Sequence, residues 1–150
     1  MRILCLDVGT KTIGVALSDP LGFTAQGLTT WRRRGLAVDL QAIGGFISEY
    51  GVEEVLIGLP LNMNGSRGPS AELAEQFAAQ LSQALAGQQS ASPVKITLRD
   101  ERLSTVAANR ALLEGDVSRR NRKQVIDKMA AVFILQGYLD YLRNHPNGRE

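Results

Sequence analysis

Met1-Arg2-Ile3-Leu4-Cys5-Leu6-Asp7-Val8-Gly9-Thr10-Lys11-Thr12-Ile13-Gly14-Val15-Ala16-Leu17-Ser18 decides how this chain folds. Residues 2–7 are an apolar run with little alternation, the pattern of a strand buried on both faces and so central in a sheet. Residues 13–18 read as a second strand. The link between them, Val8 to Thr12, is short enough for a hairpin. Two features stand out at this junction. An acid, Asp7, closes a buried strand, and a glycine follows it two positions later.

Outward from this hairpin, Asp19-Pro20-Leu21-Gly22 has turn chemistry. Residues 23–31 read as a third strand that completes a meander. Leu36 to Tyr50 reads as a helix with Leu36, Leu40, Ile43 and Ile47 on one face and Gly51 closing it. Strand and helix then alternate. Glu54 to Leu59 is a buried strand, residues 61–69 form a loop rich in Asn, Gly and Ser, and Ser70 can cap a helix over 71–86 whose apolar face is Leu73, Phe77, Leu81 and Leu85. Val94 to Arg99 is a further strand. Ser104 or Thr105 can cap a helix through Glu114, a polar, basic segment follows, and a last helix runs from about Lys123 to Leu142. A meander followed by β-α-β crossovers gives an α/β fold: a mixed five-stranded sheet, antiparallel then parallel, with helices on both faces. Residues 1–142 form one domain and 143–150 a tail.

Composition limits the function. The chain has 150 residues, 44% hydrophobic and 21% charged, which suits one soluble globular domain. No segment is long enough to span a bilayer, and Asp7 interrupts the apolar run a signal peptide would need, so no membrane partner and a cytoplasmic location are expected. Cys5 is the sole cysteine, which excludes an internal disulfide and a cysteine-based zinc site. His145 is the sole histidine and lies beside Pro146 in the polar tail, which argues against Ser-His and Cys-His catalysis. The formal charge is only +2, but Arg32, Arg33, Arg34, Arg119, Arg120, Arg122 and Lys123 group seven of the 17 basic residues into two clusters. Such clusters suit phosphate-backbone contacts, but on clustering alone a pair of solvated loops is the stronger reading.

The acids carry the chemistry. In open α/β sheets, sites form beyond the carboxyl ends of strands. Asp7 ends the first strand there, and Asp100-Glu101 ends the strand at 94–99. Asp127 lies in the first turns of the last helix, just before Ala130 and Ala131, which are small enough for the helix to approach the sheet. Three converging carboxylates repel one another unless a divalent cation neutralises them. Oxygen ligands without His or Cys suit Mg²⁺ or Mn²⁺, and two such ions about 3.5–4 Å apart can promote phosphodiester hydrolysis. Each acid also has a plainer reading. Asp7 could be a turn former, Asp100 and Glu101 could pair with Arg99 and Arg102, and Asp127 could complement the helix dipole.

Four blocks in this order resemble the YqgF/RuvX family of RNase H-like nucleases. They are Asp7 to Asp19, Gly58 to Gly65, Asp100-Glu101-Arg102-Leu103-Ser104-Thr105, and Lys123 to Ala131. The resemblance implies an RNase H-like fold and a metal-dependent endonuclease acting as a Holliday junction resolvase in DNA recombination and repair, as a nuclease processing the 5′ end of pre-16S rRNA, or as both. It places the catalytic metal carboxylates at Asp7, Glu101 and Asp127. Asp100 would orient a ligand or water. Many relatives carry arginine where this chain has Thr12, and some carry Asp where it has Asn64.

The remaining motif residues fit a phosphate substrate, either branched DNA or structured RNA. Thr10 and Lys11 offer a hydroxyl and a cation, and Gly9 allows close approach or a positive φ. Asn62, Asn64, Arg67, Arg102, Arg119, Arg120, Arg122 and Lys123 are candidate backbone contacts, while Leu61 and Met63 are expected to pack locally. Ser104 is read as a helix cap, not a nucleophile. Symmetric cutting of a four-way junction would need two active sites and hence a homodimer. Two rival functions remain: an ATP-binding phosphotransferase of the actin/sugar-kinase type, whose first phosphate loop also follows a strand with Asp-x-Gly-Thr, and a non-catalytic nucleic-acid-binding module.

Overall fold

A computed structural model of the chain describes residues 2–87, 93–104 and 122–146, with the backbone alone over 122–127. The strands are β1 (Arg2–Val8), β2 (Thr12–Ser18), β3 (Ala25–Arg32), β4 (Val52–Leu59) and β5 (Lys95–Asp100). They form one sheet in the order β3-β2-β1-β4-β5. β1 is antiparallel to β2, β2 is antiparallel to β3, and β1, β4 and β5 are mutually parallel. This is the mixed sheet the sequence predicts. β1 and β4 lie inside it, as their unbroken apolar runs require.

The helices are α1 (Leu36–Tyr50), α2 (Pro69–Ala86) and α3 (Arg122–Asn144), and a 3₁₀ turn (Glu101–Leu103) follows β5. Strand alternation sorts the core onto the two faces of the sheet. Leu4, Leu6, Val8, Ile13, Val15, Val55 and Ile57 pack with Ile43 and Ile47 of α1 and with Ala74, Phe77 and Leu81 of α2. Ile3, Cys5, Ala16 and Leu56 face the other way and pack with Ala130, Ala131, Ile134, Leu135 and Leu139 of α3. The alanine pair is fully buried, as its small size predicts for a helix lying close on a sheet.

Several local expectations change. β3 starts at Ala25, because Asp19 Oδ1 accepts from the amides of Phe23 (2.7 Å) and Thr24 (3.2 Å) and holds both in the preceding turn. Ser70 does not cap α2. The cap is Gly68, and Pro69 takes the first helical position, where its fixed φ costs nothing. Leu36 is exposed, whereas Asp39, in the first turn of α1, is buried with Ile43 and Ile47. Gly51 ends α1 in the left-handed conformation (φ 61°) and donates to Ile47 O, as expected of a glycine at that position. α3 continues through Asn144, two residues past the expected end, and residues 147–150 lie outside the described residues. The helix expected from Ser104 or Thr105 to Glu114 falls on undescribed residues beyond Ser104.

Candidate active site

Because β1, β4 and β5 run parallel, their carboxyl ends share one edge of the sheet. Asp7 is the penultimate residue of β1, and Glu101 follows β5 directly. Both are half-buried and line one cleft of about 290 Å³ with Val8 to Thr12, Pro60, Ser70 and Leu73. Asp7 shares the alternation of Ile3 and Cys5, so it belongs to the α3 face of β1.

Glu101 reaches that face because β4, the strand between its own and that of Asp7, carries no side chain at Gly58. A Cβ there would lie 3.2 Å from Glu101 Cγ, 3.3 Å from its Cδ and 2.9 Å from Ile134 Cδ1. Gly58 therefore makes the space in which the Glu101 side chain lies. Sequence reasoning places Gly58 in a motif and assigns it no further role. The available signal was a glycine inside an otherwise apolar strand, which marks close approach of another group.

Cys5 registers both acids. Its thiol is fully buried and is pushed well above its ordinary pKa, first by burial and then by the negative charges of Asp7 and Glu101. The cleft itself is lined by the carboxylates of Asp7 and Glu101 and not by the thiol. What remains at the cleft is oxygen chemistry, which fits a hard divalent cation. Among the described residues no three Asp, Glu, His or Cys groups gather as a metal site. The third expected ligand, Asp127, is in α3, but its side chain lies outside the described residues.

Glu101 is fixed from behind. The Ser104 hydroxyl donates to Glu101 O at 2.7 Å, and the Ser104 amide donates to the same oxygen at 3.0 Å. Ser104 thus closes the 3₁₀ turn. Asp100 is engaged with Arg102. It accepts from the Arg102 amide at 2.9 Å, from Nε at 3.0 Å and from Nη2 at 2.7 Å. Hydrogen bonding from Arg102 holds the Asp100 carboxyl below its ordinary range. The same guanidinium donates to Met63 O at 3.2 Å. Arg102 therefore joins the acidic turn to the loop after β4.

That loop is built from the polar residues the sequence singles out. Asn62 Nδ2 donates to Ser66 Oγ (2.9 Å), the Ser66 amide and hydroxyl both donate to Asn64 Oδ1 (3.0 and 2.6 Å), and Arg67 Nε donates to Glu75 Oε1 of α2 (2.8 Å). Asn62, Asn64 and Arg67 thus shape the loop and tie it to α2. Met63 does not pack locally. It is 91% exposed, because these hydrogen bonds fix the loop with that side chain pointing outward.

Thr10 and Lys11 are exposed at the mouth of the cleft, in the turn between β1 and β2. Gly9 has no positive φ. Its amide donates to Thr12 O at 2.8 Å, and a Cβ would lie 3.0 Å from that oxygen, so the turn needs a small residue for space. Of the basic clusters, Arg33 is turned inward, and Arg34 lies 5.8 Å from the Trp31 ring centroid. Arg119 and Arg120 lie outside the described residues, as do the side chains of Arg122 and Lys123.

A central strand ending in an acid, a second acid swung across a glycine from a parallel strand, and a mixed sheet in the order β3-β2-β1-β4-β5 with helices on both faces define an RNase H-like domain. Among solved structures, the chain is similar to Thermus thermophilus RuvC in complex with a Holliday junction substrate (TM-score 0.60, 11% identity, 96% of each chain) and to the fowlpox virus Holliday junction resolvase (TM-score 0.53, 16% identity, 96% of this chain and 99% of that one). The chain belongs to the RuvX family, described as Holliday junction resolvase, whose model matches residues 1–141. Curated relatives named "Putative pre-16S rRNA nuclease" include proteins of Moorella thermoacetica, 63% identical over 142 residues (95% of this chain, 96% of that one), and of Myxococcus xanthus, 58% identical over 140 residues (93% and 88%). A match along almost the whole chain assigns it to the nucleases and not to the kinase-like rival. No helix of the described residues is long and apolar enough to cross a membrane.

Proposed function

We propose that this protein is a divalent-metal-dependent endonuclease that cuts phosphodiester bonds in structured nucleic acid. One observation carries the reading: two carboxylates from separate strand ends, Asp7 and Glu101, line one cleft with the exposed turn Gly9-Thr10-Lys11 at its mouth. Asp7 and Glu101, with Asp127 from α3, would hold Mg²⁺ or Mn²⁺. A bound ion supplies Lewis-acid polarisation of phosphate and water. The chain's own residues do the rest. Thr10 and Lys11 bind the substrate phosphate through a hydroxyl and a cation, Ser104 orients Glu101, and Arg102 holds Asp100 and the 60–68 loop as one wall of the groove.

Relatives sharing more than half their residues carry rRNA-nuclease names, so a pre-16S rRNA 5′ precursor is the first substrate to test, with a four-way DNA junction beside it. Both would be met in the cytoplasm, where we place this protein, and symmetric junction cutting calls for a homodimer. With Mn²⁺, the parent should cleave at least one of the two. Asp7→Asn should lose cleavage about 10³-fold or more while keeping substrate affinity, because it removes an interaction that counts chiefly in the transition state. Equal cleavage by both proteins would refute the assignment.

The basic segment Arg119, Arg120, Arg122 and Lys123 is proposed as the grip on the backbone. Replacing the three arginines by alanine should lower the slope of log K against log salt by about 2–3, near one unit for each phosphate no longer neutralised. An unchanged slope would place the grip elsewhere.

A further inference from the structure

The cleft has a second support, on the opposite face of the sheet from α3. Asp39 is fully buried in the first turn of α1. Its Oδ1 accepts from Trp31 Nε1 and the Arg34 amide, and its Oδ2 accepts from Arg33 Nε, each at 2.9 Å. Burial pushes this carboxyl up, but the bonds from Trp31, Arg34 and Arg33 outweigh it and hold it below the ordinary range. Asp39 is therefore a charged, fully ligated anchor. A buried carboxylate with three donors is held rigidly, since releasing any one leaves charge unsatisfied in the core.

Arg33 is what this anchor holds. Its side chain is 15% exposed and lies 5.4 Å from the Phe77 ring centroid. While Nε is on Asp39, Nη1 donates to Gly9 O at 3.0 Å, and the Arg33 amide donates to Lys11 O at 2.9 Å. Arg33 thus grips the β1–β2 turn on both sides of Thr10, at two backbone carbonyls. Neither bond involves the side chains of Thr10 or Lys11, which stay exposed to the cleft.

We infer that Arg33, oriented by Asp39, is a positioning residue. It fixes the Gly9–Lys11 turn, and through it Asp7 two residues upstream, in the geometry that receives the scissile phosphate. This rests on the nuclease reading for its catalytic consequence, but the grip itself does not. The planar guanidinium is essential, because Nε and Nη1 must reach different partners at once. A lysine keeps the charge and has only one nitrogen.

The test compares Arg33→Lys and Asp39→Asn with the parent by amide hydrogen exchange and by Mn²⁺-dependent cleavage resolved into kcat and KM. Exchange of amides in residues 8–12 should speed up about tenfold more than that of β4 amides in both variants, as for a local opening on top of any global loss of stability. kcat should fall about tenfold with KM within about twofold, because geometry is lost and charge is not. The double variant should be no worse than either single one, since both break the same chain of interactions. Unchanged exchange in the turn would overturn the grip. Exchange rising equally in the turn and in β4 would mean general destabilisation and would overturn it too. Faster exchange with unchanged kcat would overturn the catalytic role alone. A parent that cleaves neither substrate would count against the nuclease reading, and the exchange arm would still decide the grip.

Discussion

Gly58→Ala tests how the two acids meet. The added methyl would sit 2.9 Å from Ile134 Cδ1 and 3.2 and 3.3 Å from Glu101 Cγ and Cδ. Ile134 is fully buried, so its δ-methyl has little room to move. Overpacking of this kind costs about 1–3 kcal/mol, and replacing a strand glycine returns about 0.5–1 kcal/mol. The net loss is about 0–2.5 kcal/mol, or at most roughly 5–10 °C in Tm for a domain of this size. Glu101 must also give way by a few tenths of an ångström, and a shift on that scale at a reacting centre should lower cleavage about tenfold. The two effects separate in a double variant. Ile134→Val removes the closest clashing atom, so Gly58→Ala/Ile134→Val should recover much of the Tm. The contacts with Glu101 remain, so cleavage should stay low. Thermal unfolding and single-turnover cleavage with Mn²⁺ read the two quantities independently. Parental cleavage by Gly58→Ala would refute the idea that Glu101 must lie across β4, and joint recovery of Tm and cleavage in the double variant would show that the activity loss was a stability effect.

Two further outcomes follow from buried polar groups. Tyr138→Phe deletes a hydroxyl that donates to buried Glu54 Oε2 at 2.7 Å, where Thr97 Oγ1 also donates at 2.8 Å; it should cost about 1–3 kcal/mol in urea unfolding with cleavage unchanged, since Glu54 lies toward the opposite end of β4. Asp39 titrates below the ordinary carboxylate range in the folded protein, so its contribution is full above the unfolded value of about 4 and is lost as pH falls through the lowered folded value; unfolding free energy measured from pH 6 to pH 2 should fall less steeply in Asp39→Asn than in the parent.

Much of the fold is legible in the sequence because its signals are local. The apolar runs of β1 and β4, the 3.6-residue periodicity of α1 and α2 and the glycine after Tyr50 each report their own surroundings. The meeting of Asp7 and Glu101 in one cleft is legible for a related reason: both stand at the carboxyl ends of strands, and such ends share one edge of an open α/β sheet. What escapes depends on contacts across the sheet. The role of Gly58 exists only because β5 pairs with β4 in the register Gly58↔Arg99, which carries Glu101 past it. Arg33 reads as one of three consecutive surface cations, yet the clue lies in α1. Asp39 falls three residues after Leu36 and four before Ile43, on the face assigned to the core, and a buried acid there demands a cation. Met63 departs from its hydropathy because the loop's hydrogen bonds decide which side chain points outward.

The two faces of the sheet therefore meet at the site with different tasks. Asp7 and Glu101 lie on the α3 side, in the same layer as Cys5, Ile134 and the alanine pair. The turn that follows Asp7 is held from the other side, by Arg33 against Phe77 and Asp39. β1 belongs to both layers at the site, with Val8 in one core and Asp7 facing the other. A carboxylate at the end of a lone strand would be free to sway with the loop beyond it. Here the loop is clamped by one layer and the acid is seated against the other, so the proposed metal ligand and the proposed phosphate-binding turn would be held in one fixed relation by a packed sheet. Close-packed cores deform little, and that stiffness is what the proposed reaction, which would need sub-ångström placement of phosphate against metal, requires.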